Sequence, residues 1–434
     1  MKIAVAAMLA FVGTNAYAFH SGGVAECEGC HSMHNSFEGA PNVTGRTFAQ
    51  GTGPYLLKAN DQSGSCLNCH QAADTAPSSY HISTAGVTPY DTTTTPVENT
   101  PGGDFAWLKK TMNVTIRGTV AADGNPGERH GHNVVAADFG YVADPELTVA
   151  PGGTYPAANL GCQSCHDPHG RYRRFADGSV ASTGLPIFGS GSYTNSANPI
   201  AGVSARGVYR ILAGVGYQPK SLTGSFAFTA PVFDAVVASS YNRSEGTTQT
   251  QYALGRNSSE WCANCHGEML KNSYTSGMAG LRHPAGNGAK LTAEIADNYN
   301  RYITSGILGA SANRYSTLVP FEYGFTDSSI ATYDGLKARA ATPVAADTTT
   351  NVSCLSCHRA HASGFESMLR FFYLNEFMTV ADASNAAIYD SSTTENKINY
   401  GYSQAQQQAA YNGRPATAFG PWARSQCNKC HAKD

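Results

Sequence analysis

The sequence predicts a chain that is mostly coil, with short helices and few strands. Glycine and proline, which interrupt regular secondary structure, account for 45 and 20 of its 434 residues. Apolar residues rarely recur at helical or strand spacing over more than a few positions. A chain with so little regular structure does not bury enough side chains for an ordinary apolar core, so we expect another component in the core.

The few regular elements can be placed one by one. The residue pattern predicts helices over 268–271, 293–302 and 366–376, and a short strand over 111–117. Glycine and proline clusters predict loops over 96–103 and 151–156. Since no linker divides the chain, we expect one domain over residues 19–434.

All 12 cysteines belong to one motif, Cys-x-x-Cys-His, which occurs six times. The cysteine pairs are Cys27/Cys30, Cys66/Cys69, Cys162/Cys165, Cys262/Cys265, Cys354/Cys357 and Cys427/Cys430. The histidines that complete the motifs are His31, His70, His166, His266, His358 and His431. This motif attaches c-type haem: two thiols form thioethers with one haem, and the histidine becomes the proximal ligand of its iron. We therefore expect six covalently bound haem c groups.

Two other classes of protein also use paired cysteines. Zinc sites join two Cys-x-x-Cys pairs around one metal, and exported disulfide-rich proteins have an even number of cysteines. Neither class requires a histidine directly after every second cysteine. The repeated motif therefore favours a multihaem cytochrome c fold, in which a stack of haems forms the missing core.

Residues 1–18 have the features of a secretory signal peptide. Lys2 precedes an apolar run over 3–13 that is too short to span a membrane, and the Ala-Tyr-Ala sequence at 16–18 fits a cleavage site. The mature chain is then expected to begin at Phe19, to be exported, and to have no membrane span. A net charge of −2 with 14% charged residues argues against a nucleic-acid-binding protein.

The histidine count decides whether every iron can have two protein ligands. Six of the 14 histidines complete the motifs, which leaves eight for the distal positions. His130 and His132 are so close in sequence that we expect only one to bind, and we favour His132. The distal candidates are then His20, His34, His81, His132, His169, His283 and His361. An iron with two histidine ligands has no open position for a substrate, so full ligation predicts electron transfer and no enzymatic activity.

Motifs one, three and five carry a second histidine three residues after the first, which the other motifs lack. On a helix, positions i and i+3 share a face, so the second imidazole cannot reach the far side of its own iron. We expect it to reach the iron of a haem lying alongside. This logic predicts three stacked haem pairs and directs His34 to the second haem of its own chain.

Long strings around the motifs have a distinctive sequence. In chain order they are FHSGGVAECEGCHSMHNS, CLNCHQ with PSSYHIST, CHDPHG followed by RYRRFADGS, YQPKSL, EWCANCH, LRHPAGNGAK, CLSCHRAHASGFES and CNKCHAKD. These strings resemble the OmcS-type hexahaem outer-surface cytochromes of metal-reducing bacteria. The resemblance covers essentially the whole mature chain and includes all six motifs.

The resemblance implies a homopolymer, assembled head to tail into an extracellular filament with a continuous row of bis-histidine haems. Its expected partners are metal oxides, electrodes, partner cells and other c-type cytochromes. In this family the histidine that matches His34 ligates the fifth haem of the neighbouring subunit, here the haem on Cys354, Cys357 and His358. The family has lysine at the position of His130, which implies that His130 is not a ligand.

Two alternatives remain beside the extracellular conduit. A monomeric periplasmic electron carrier would bind all its irons with ligands from one chain, so His34 would face a haem of its own subunit. A multihaem reductase would need at least one iron with an open position. The direction of His34 and the spin state of the irons separate the three possibilities.

Overall fold

The computed structural model confirms a chain of mostly coil with few short helices and strands. The residues that the structure describes are 27–34, 36–37, 40–41, 56–72, 81–88, 94–112, 115–116, 119–120, 124–169, 173–174, 180–181, 211–222, 224–230, 232–233, 235–237, 252–271, 284–304, 319–322, 333–341, 345–390 and 402–431. The signal-peptide segment and the candidates His20 and His283 lie outside them.

The α-helices of this part of the chain are short, and five of them contain a haem-attachment motif. They are α1 (Cys27–Cys30), α2 (Gln62–His70), α3 (Ser258–Lys271), α4 (Ala293–Thr304), α5 (Tyr333–Ala341), α6 (Cys354–Cys357), α7 (Gln404–Ala410) and α8 (Cys427–Cys430). The third motif forms a 3-10 turn, Cys162–Ser164. None of the helices in the described ranges combines the length and apolar character needed to cross a bilayer.

Local capping explains where the motif helices begin and end. The Asp61 side chain accepts a hydrogen bond from the Gly64 amide and so caps α2. The Ser353 side chain caps α6, which ends at His358 because that residue has an extended backbone (φ −110°, ψ 156°). Helix α3 is broken at His266 (φ −115°, ψ 41°). The motif histidines therefore lie where a helical turn stops.

The strands pair locally and build no extended sheet. They are β1 (Ser36–Phe37), β2 (Ala40–Pro41), β3 (Gln71–Ala72), β4 (Ser83–Thr84), β5 (Thr115–Ile116), β6 (Thr119–Val120), β7 (Arg173–Arg174), β8 (Val180–Ala181), β9 (Ala235–Val237), β10 (Tyr252–Leu254), β11 (Val380–Ala381) and β12 (Ala387–Ile388). Each odd-numbered strand pairs with the next even-numbered one, antiparallel except for β3 and β4, which are parallel.

The structure confirms some predicted elements and corrects others. Helix α4 matches the prediction for 293–302, and the end of α3 covers 268–271. Of the strand predicted over 111–117, the structure has only β5. The helix predicted over 366–376 is wrong, because Ser367 (φ 57°) and Met368 (φ 48°) adopt left-handed backbone conformations that end the turn.

The largest apolar cluster consists mainly of aromatic side chains from the C-terminal part of the chain. Phe365 lies at its centre, with ring centroids 4.8 Å from Tyr411, 6.1 Å from Phe372 and 6.4 Å from Tyr402. Trp107 joins this cluster through Tyr402, at 6.5 Å. Smaller apolar clusters lie elsewhere, so the side-chain core is divided and not continuous.

Candidate haem sites

All motif cysteines are free thiols, with no disulfide between any of them. Each motif folds into one helical turn, which brings its two cysteines to neighbouring positions on the same side. Burial raises the pKa of the Cys265 and Cys357 thiols to about 12. These thiols lie in apolar surroundings, which suit the attachment of an apolar macrocycle.

Motifs two and three are in direct contact, and we call such a contact between two motifs a joint. The Cys66 and Cys162 thiols share a hydrogen bond, which raises the pKa of Cys66 and lowers that of Cys162. The backbone amide of Cys162 donates to the side-chain oxygen of Ser63, three residues before the first cysteine of motif two, at 3.1 Å. The first turn of motif three is therefore fixed against the helix of motif two.

Motifs four and five meet in the same way. The Cys262 and Cys354 thiols share a hydrogen bond, and the Cys354 amide donates to the Ser259 side chain at 3.1 Å. Ser259 is also three residues before the first cysteine of its motif. The strings around motifs two and four, DQSGSCLNCH and NSSEWCANCH, already contain this repeated serine, although the cysteine spacing alone does not point to it.

The remaining neighbouring motifs also lie close to one another. Burial raises the pKa of Cys30, Cys165 and Cys357, and a cysteine of the next motif raises each of them further. The cysteines of the next motif are Cys69, Cys265 and Cys427, in the same order. The six motifs therefore follow one another in space in the order in which they occur in the sequence.

In three pairs of histidines, the two imidazole rings face each other at a separation that fits one metal ion between them. Their ring centroids are 6.3 Å apart for His31 and His169, 6.2 Å for His166 and His361, and 6.0 Å for His132 and His266. With a metal–imidazole bond of roughly 2 Å and a ring centre roughly 1 Å beyond the nitrogen, two imidazoles on opposite sides of one metal have centres roughly 6 Å apart. Each pair combines one motif histidine with one distal candidate.

Hydrogen bonds orient both rings of the third pair. Nδ1 of His266 lies 2.8 Å from the carbonyl oxygen of Pro151, and Nδ1 of His132 lies 2.7 Å from that of Ala360. A proton on Nδ1 that bonds to a carbonyl leaves Nε2 free to ligate a metal. Burial, and then the neighbouring His266, lowers the pKa of His132 to about 4, so this imidazole is neutral as ligation requires.

His361 is held by contacts on several sides. Its ring stacks on Phe105, with centroids 4.6 Å apart and an interplanar angle of 21°. Its backbone amide donates to the carbonyl oxygen of Gly102 at 2.8 Å. The neighbouring Ala362 forms a bridge with Gly131, which leads to His132. The ring that faces His166 is thus fixed by packing before any ligand binds.

His34 and His358 are placed differently from these pairs. His34 is exposed at the surface and follows Met33, whose side chain is 76% exposed. His358 has Nδ1 2.8 Å from the carbonyl oxygen of Ser367, so it is oriented like a ligand. Within the described residues, however, no second imidazole ring stacks against His358.

Two further candidates differ in their surroundings. His81 is buried beside motif two, since the amide of Ile82 donates to the carbonyl oxygen of His70 at 2.8 Å. His130 is fully buried, and burial lowers its pKa to about 3. Neither ring nitrogen of His130 has a hydrogen-bond partner in the described part of the chain, and its ring faces no other imidazole there.

The helical premise for the second histidines of motifs three and five is wrong. Motif five leaves the helix at His358, so His358 and His361 do not share a helical face. His361 instead faces His166 of motif three, and His169 faces His31 of motif one. The second histidines of motifs three and five therefore lie opposite the motif histidine two motifs earlier, and not opposite that of an adjacent motif.

The residues fit c-type haem: each motif has two free thiols and a histidine, and in three motifs a second imidazole faces that histidine. No family model matches the chain. The chain is 55% identical to the C-type cytochrome OmcS of Geobacter sulfurreducens over 440 residues, which cover 100% of this chain and 98% of that protein. It also matches the OmcS nanowires of that organism seen by cryo-EM (TM-score 0.84, 53% identity) and an Outer Membrane Cytochrome S filament (TM-score 0.82, 55% identity), in each case over 96% of this chain and 100% of the other. The chain therefore belongs to the family of OmcS-type c-type cytochromes.

Proposed function

We propose that this protein conducts electrons outside the cell through six covalently bound haems, as a subunit of a polymerised filament. The observation that carries the proposal is the full-length match to OmcS together with the match to its filament structures. Export through a signal peptide over 1–18 and a mature N-terminus at Phe19 belong to the same proposal. Intact mass of the denatured protein gives both the haem number and the N-terminus.

The proposed axial ligands follow from the facing imidazoles. His31 and His169 would ligate the first iron, His166 and His361 the third, and His266 and His132 the fourth. When bound, haem supplies an iron that is alternately reduced and oxidised as electrons pass. Two imidazoles on one iron leave no position for a substrate, which supports electron transfer and argues against a reductase.

The joints between motifs support a continuous path along the chain. Ser63 and Ser259 fix motif three against motif two and motif five against motif four. The cysteines at these joints lie close to each other, so haems attached to them would be held side by side. Each motif lies close in space to the next motif of the sequence. An electron that enters at one end would therefore have a neighbouring haem site at every step.

The pattern of second histidines supports head-to-tail assembly through His34. His361 of motif five faces motif three, and His169 of motif three faces motif one. His34 occupies the same position in motif one, but its chain has no earlier odd-numbered motif. The corresponding partner is motif five of a neighbouring subunit, whose His358 faces no imidazole in the described part of its own chain. A contact between different surfaces that does not close into a ring produces an open filament.

The test is His34→Ala, with His169→Ala as the matched control. His34→Ala should abolish filaments in electron micrographs, and one haem in six should stay high-spin under all conditions. His169→Ala should also make one haem high-spin, yet it should still form filaments because its loss is internal to the chain. Electron paramagnetic resonance separates high-spin from low-spin iron. Normal, entirely low-spin filaments of His34→Ala would contradict the cross-subunit ligand and favour assembly by surface packing alone.

A further inference from the structure

A carboxyl group is completely buried at the joint between motifs four and five. Glu322 is 0% exposed, and within the described residues no ion pair neutralises it. Its backbone is fixed on two sides: it exchanges hydrogen bonds with Asn351, at 3.0 and 2.6 Å, and bridges Leu254 of β10. A buried carboxylate without a cation is costly, so such a residue is rarely kept for packing alone.

The carboxyl group is connected to both motif helices by hydrogen bonds. One oxygen accepts the Ser258 amide of α3 at 3.1 Å and also the Ser258 hydroxyl. The Ser258 hydroxyl lies 2.5 Å from that of Ser353, which in turn accepts the Leu355 amide of motif five at 3.1 Å. The chain of polar groups therefore runs from Glu322 into the Cys-x-x-Cys turn of motif five.

This network suits both charge states of the carboxyl group. Either serine hydroxyl can donate in the bond between Ser258 and Ser353. When Glu322 is ionised, both hydroxyls can point towards it; when Glu322 carries a proton, it can donate to Ser258 and the serine bond can reverse. The second carboxyl oxygen accepts no hydrogen bond from the described part of the chain, so no additional bond from these residues favours the charged form.

The surroundings place the titration of Glu322 near neutral pH. Burial raises the pKa of its carboxyl group to about 8, and hydrogen bonds from Ser258 oppose the rise. The ionisable groups that face it are Glu260 on α3 and Cys354 on α6, and both raise this pKa. Once Cys354 is a thioether it carries no charge. Leu254 and Asn351, which also contact Glu322 in the described part of the chain, are uncharged.

We propose that Glu322 is a redox-linked proton site that takes up one proton when a haem of motif four or five accepts one electron. Glu322 gains one O–H bond, its proton comes from solvent, and one ferric iron becomes ferrous with an electron from the neighbouring carrier. A haem attached to motif four or five would lose one positive charge on reduction, which would favour the protonated form of the carboxyl group that hydrogen bonds connect to both motif turns. This inference rests on the proposed haem attachment.

The joint between motifs two and three lacks this feature and provides an internal comparison. Gln62 there corresponds to Ser258, because each lies four residues before the first cysteine of its motif. The nearest carboxylate, Asp61, is partly exposed and accepts hydrogen bonds from the amides of Gly64 and Ala137, at 2.6 and 2.8 Å. The carboxylate at this joint is thus not buried as Glu322 is, and we expect the pH-dependent potential at the joint between motifs four and five.

The experiment is a redox titration of the six-haem protein at several pH values, with the haem number checked for each preparation. In the wild type, the midpoint potential of one or two haems should fall as pH rises through the neutral to mildly alkaline range. One proton per electron corresponds to about 59 mV for each tenfold change in proton concentration. Glu322→Gln should abolish this slope, and Glu260→Gln should keep it but move its window to lower pH, because Glu260 raises the pKa of Glu322.

Infrared difference spectra of the wild type provide a second measurement that needs no variant. Reduction should produce the carbonyl band of a protonated carboxyl group, and the band should shift in heavy water. An unchanged slope in Glu322→Gln with all haems present, or the absence of this band in the wild type, would overturn the proposal. A preparation without covalent haem would instead contradict the proposed function itself.

Discussion

Adding a single methyl group at Gly102 tests the position of His361 without removing any ligand. A Cβ atom at this glycine would lie 2.6 Å from Nδ1 of His361 and 2.9 Å from two of its ring carbons. The backbone of Gly102 is outside the left-handed region, so alanine itself is not strained there. The contact with the imidazole is therefore the main obstacle to Gly102→Ala.

The size of the disturbance follows from these distances. Ordinary contact begins at 3.4 Å, so the ring and the new methyl group must separate by about 0.8 Å. The stacked Phe105 ring, 4.6 Å away, restricts the retreat of His361 in one direction. Overpacking of this kind costs about 1–3 kcal/mol. Metal–ligand distances vary by only about 0.2 Å, so we expect the bond from His361 to the third iron to lengthen or break.

The assay is electron paramagnetic resonance of the purified, oxidised protein. Gly102→Ala should convert up to one haem in six from low-spin to high-spin, while the haem number stays the same. Gly267→Ala is the control, because a Cβ atom there meets nothing within 4 Å although the residue directly follows His266. An entirely low-spin Gly102→Ala variant would show that His361 is not the distal ligand of the third haem.

Three other substitutions test the fourth haem site and the aromatic cluster. His132→Ala should let the fourth haem bind carbon monoxide, whereas His130→Ala should leave every iron closed, because His130 faces no imidazole in the described residues; carbon monoxide difference spectra compare the two. Phe365→Ala removes the centre of the aromatic cluster and should cost about 3–5 kcal/mol. Its guanidinium unfolding midpoint should fall while the haem number is unchanged.

The sequence alone predicts the coil-rich fold and the motifs, because both depend on residue types at short spacing. It does not predict which histidines face each other. His31 and His169 are far apart in the chain and meet only because motifs one to three fold into one row. The local argument from helical spacing fails for motif five, where the backbone becomes extended at His358.

Glu322 shows a second limit of sequence reasoning. In the sequence, a single glutamate between two aromatic residues is expected to be a solvated side chain, since carboxylates are almost never fully buried without a partner. Its burial depends on Leu254 and Asn351, which are brought to it from distant segments. Ser367 likewise has a left-handed backbone that its residue type does not predict, and the predicted helix is wrong there.

Two kinds of connection together hold the row of motifs, and they act on different pairs. Serine hydroxyls connect motif two to three and motif four to five, while second histidines connect motif three to one and motif five to three. Every motif from one to five is thereby tied to another by a contact that does not involve its own cysteines. If His34 follows the rule of His169 and His361, the same connection continues into the next subunit. The filament would then extend a repeat that already exists within one chain, and assembly would need no interface of a different kind.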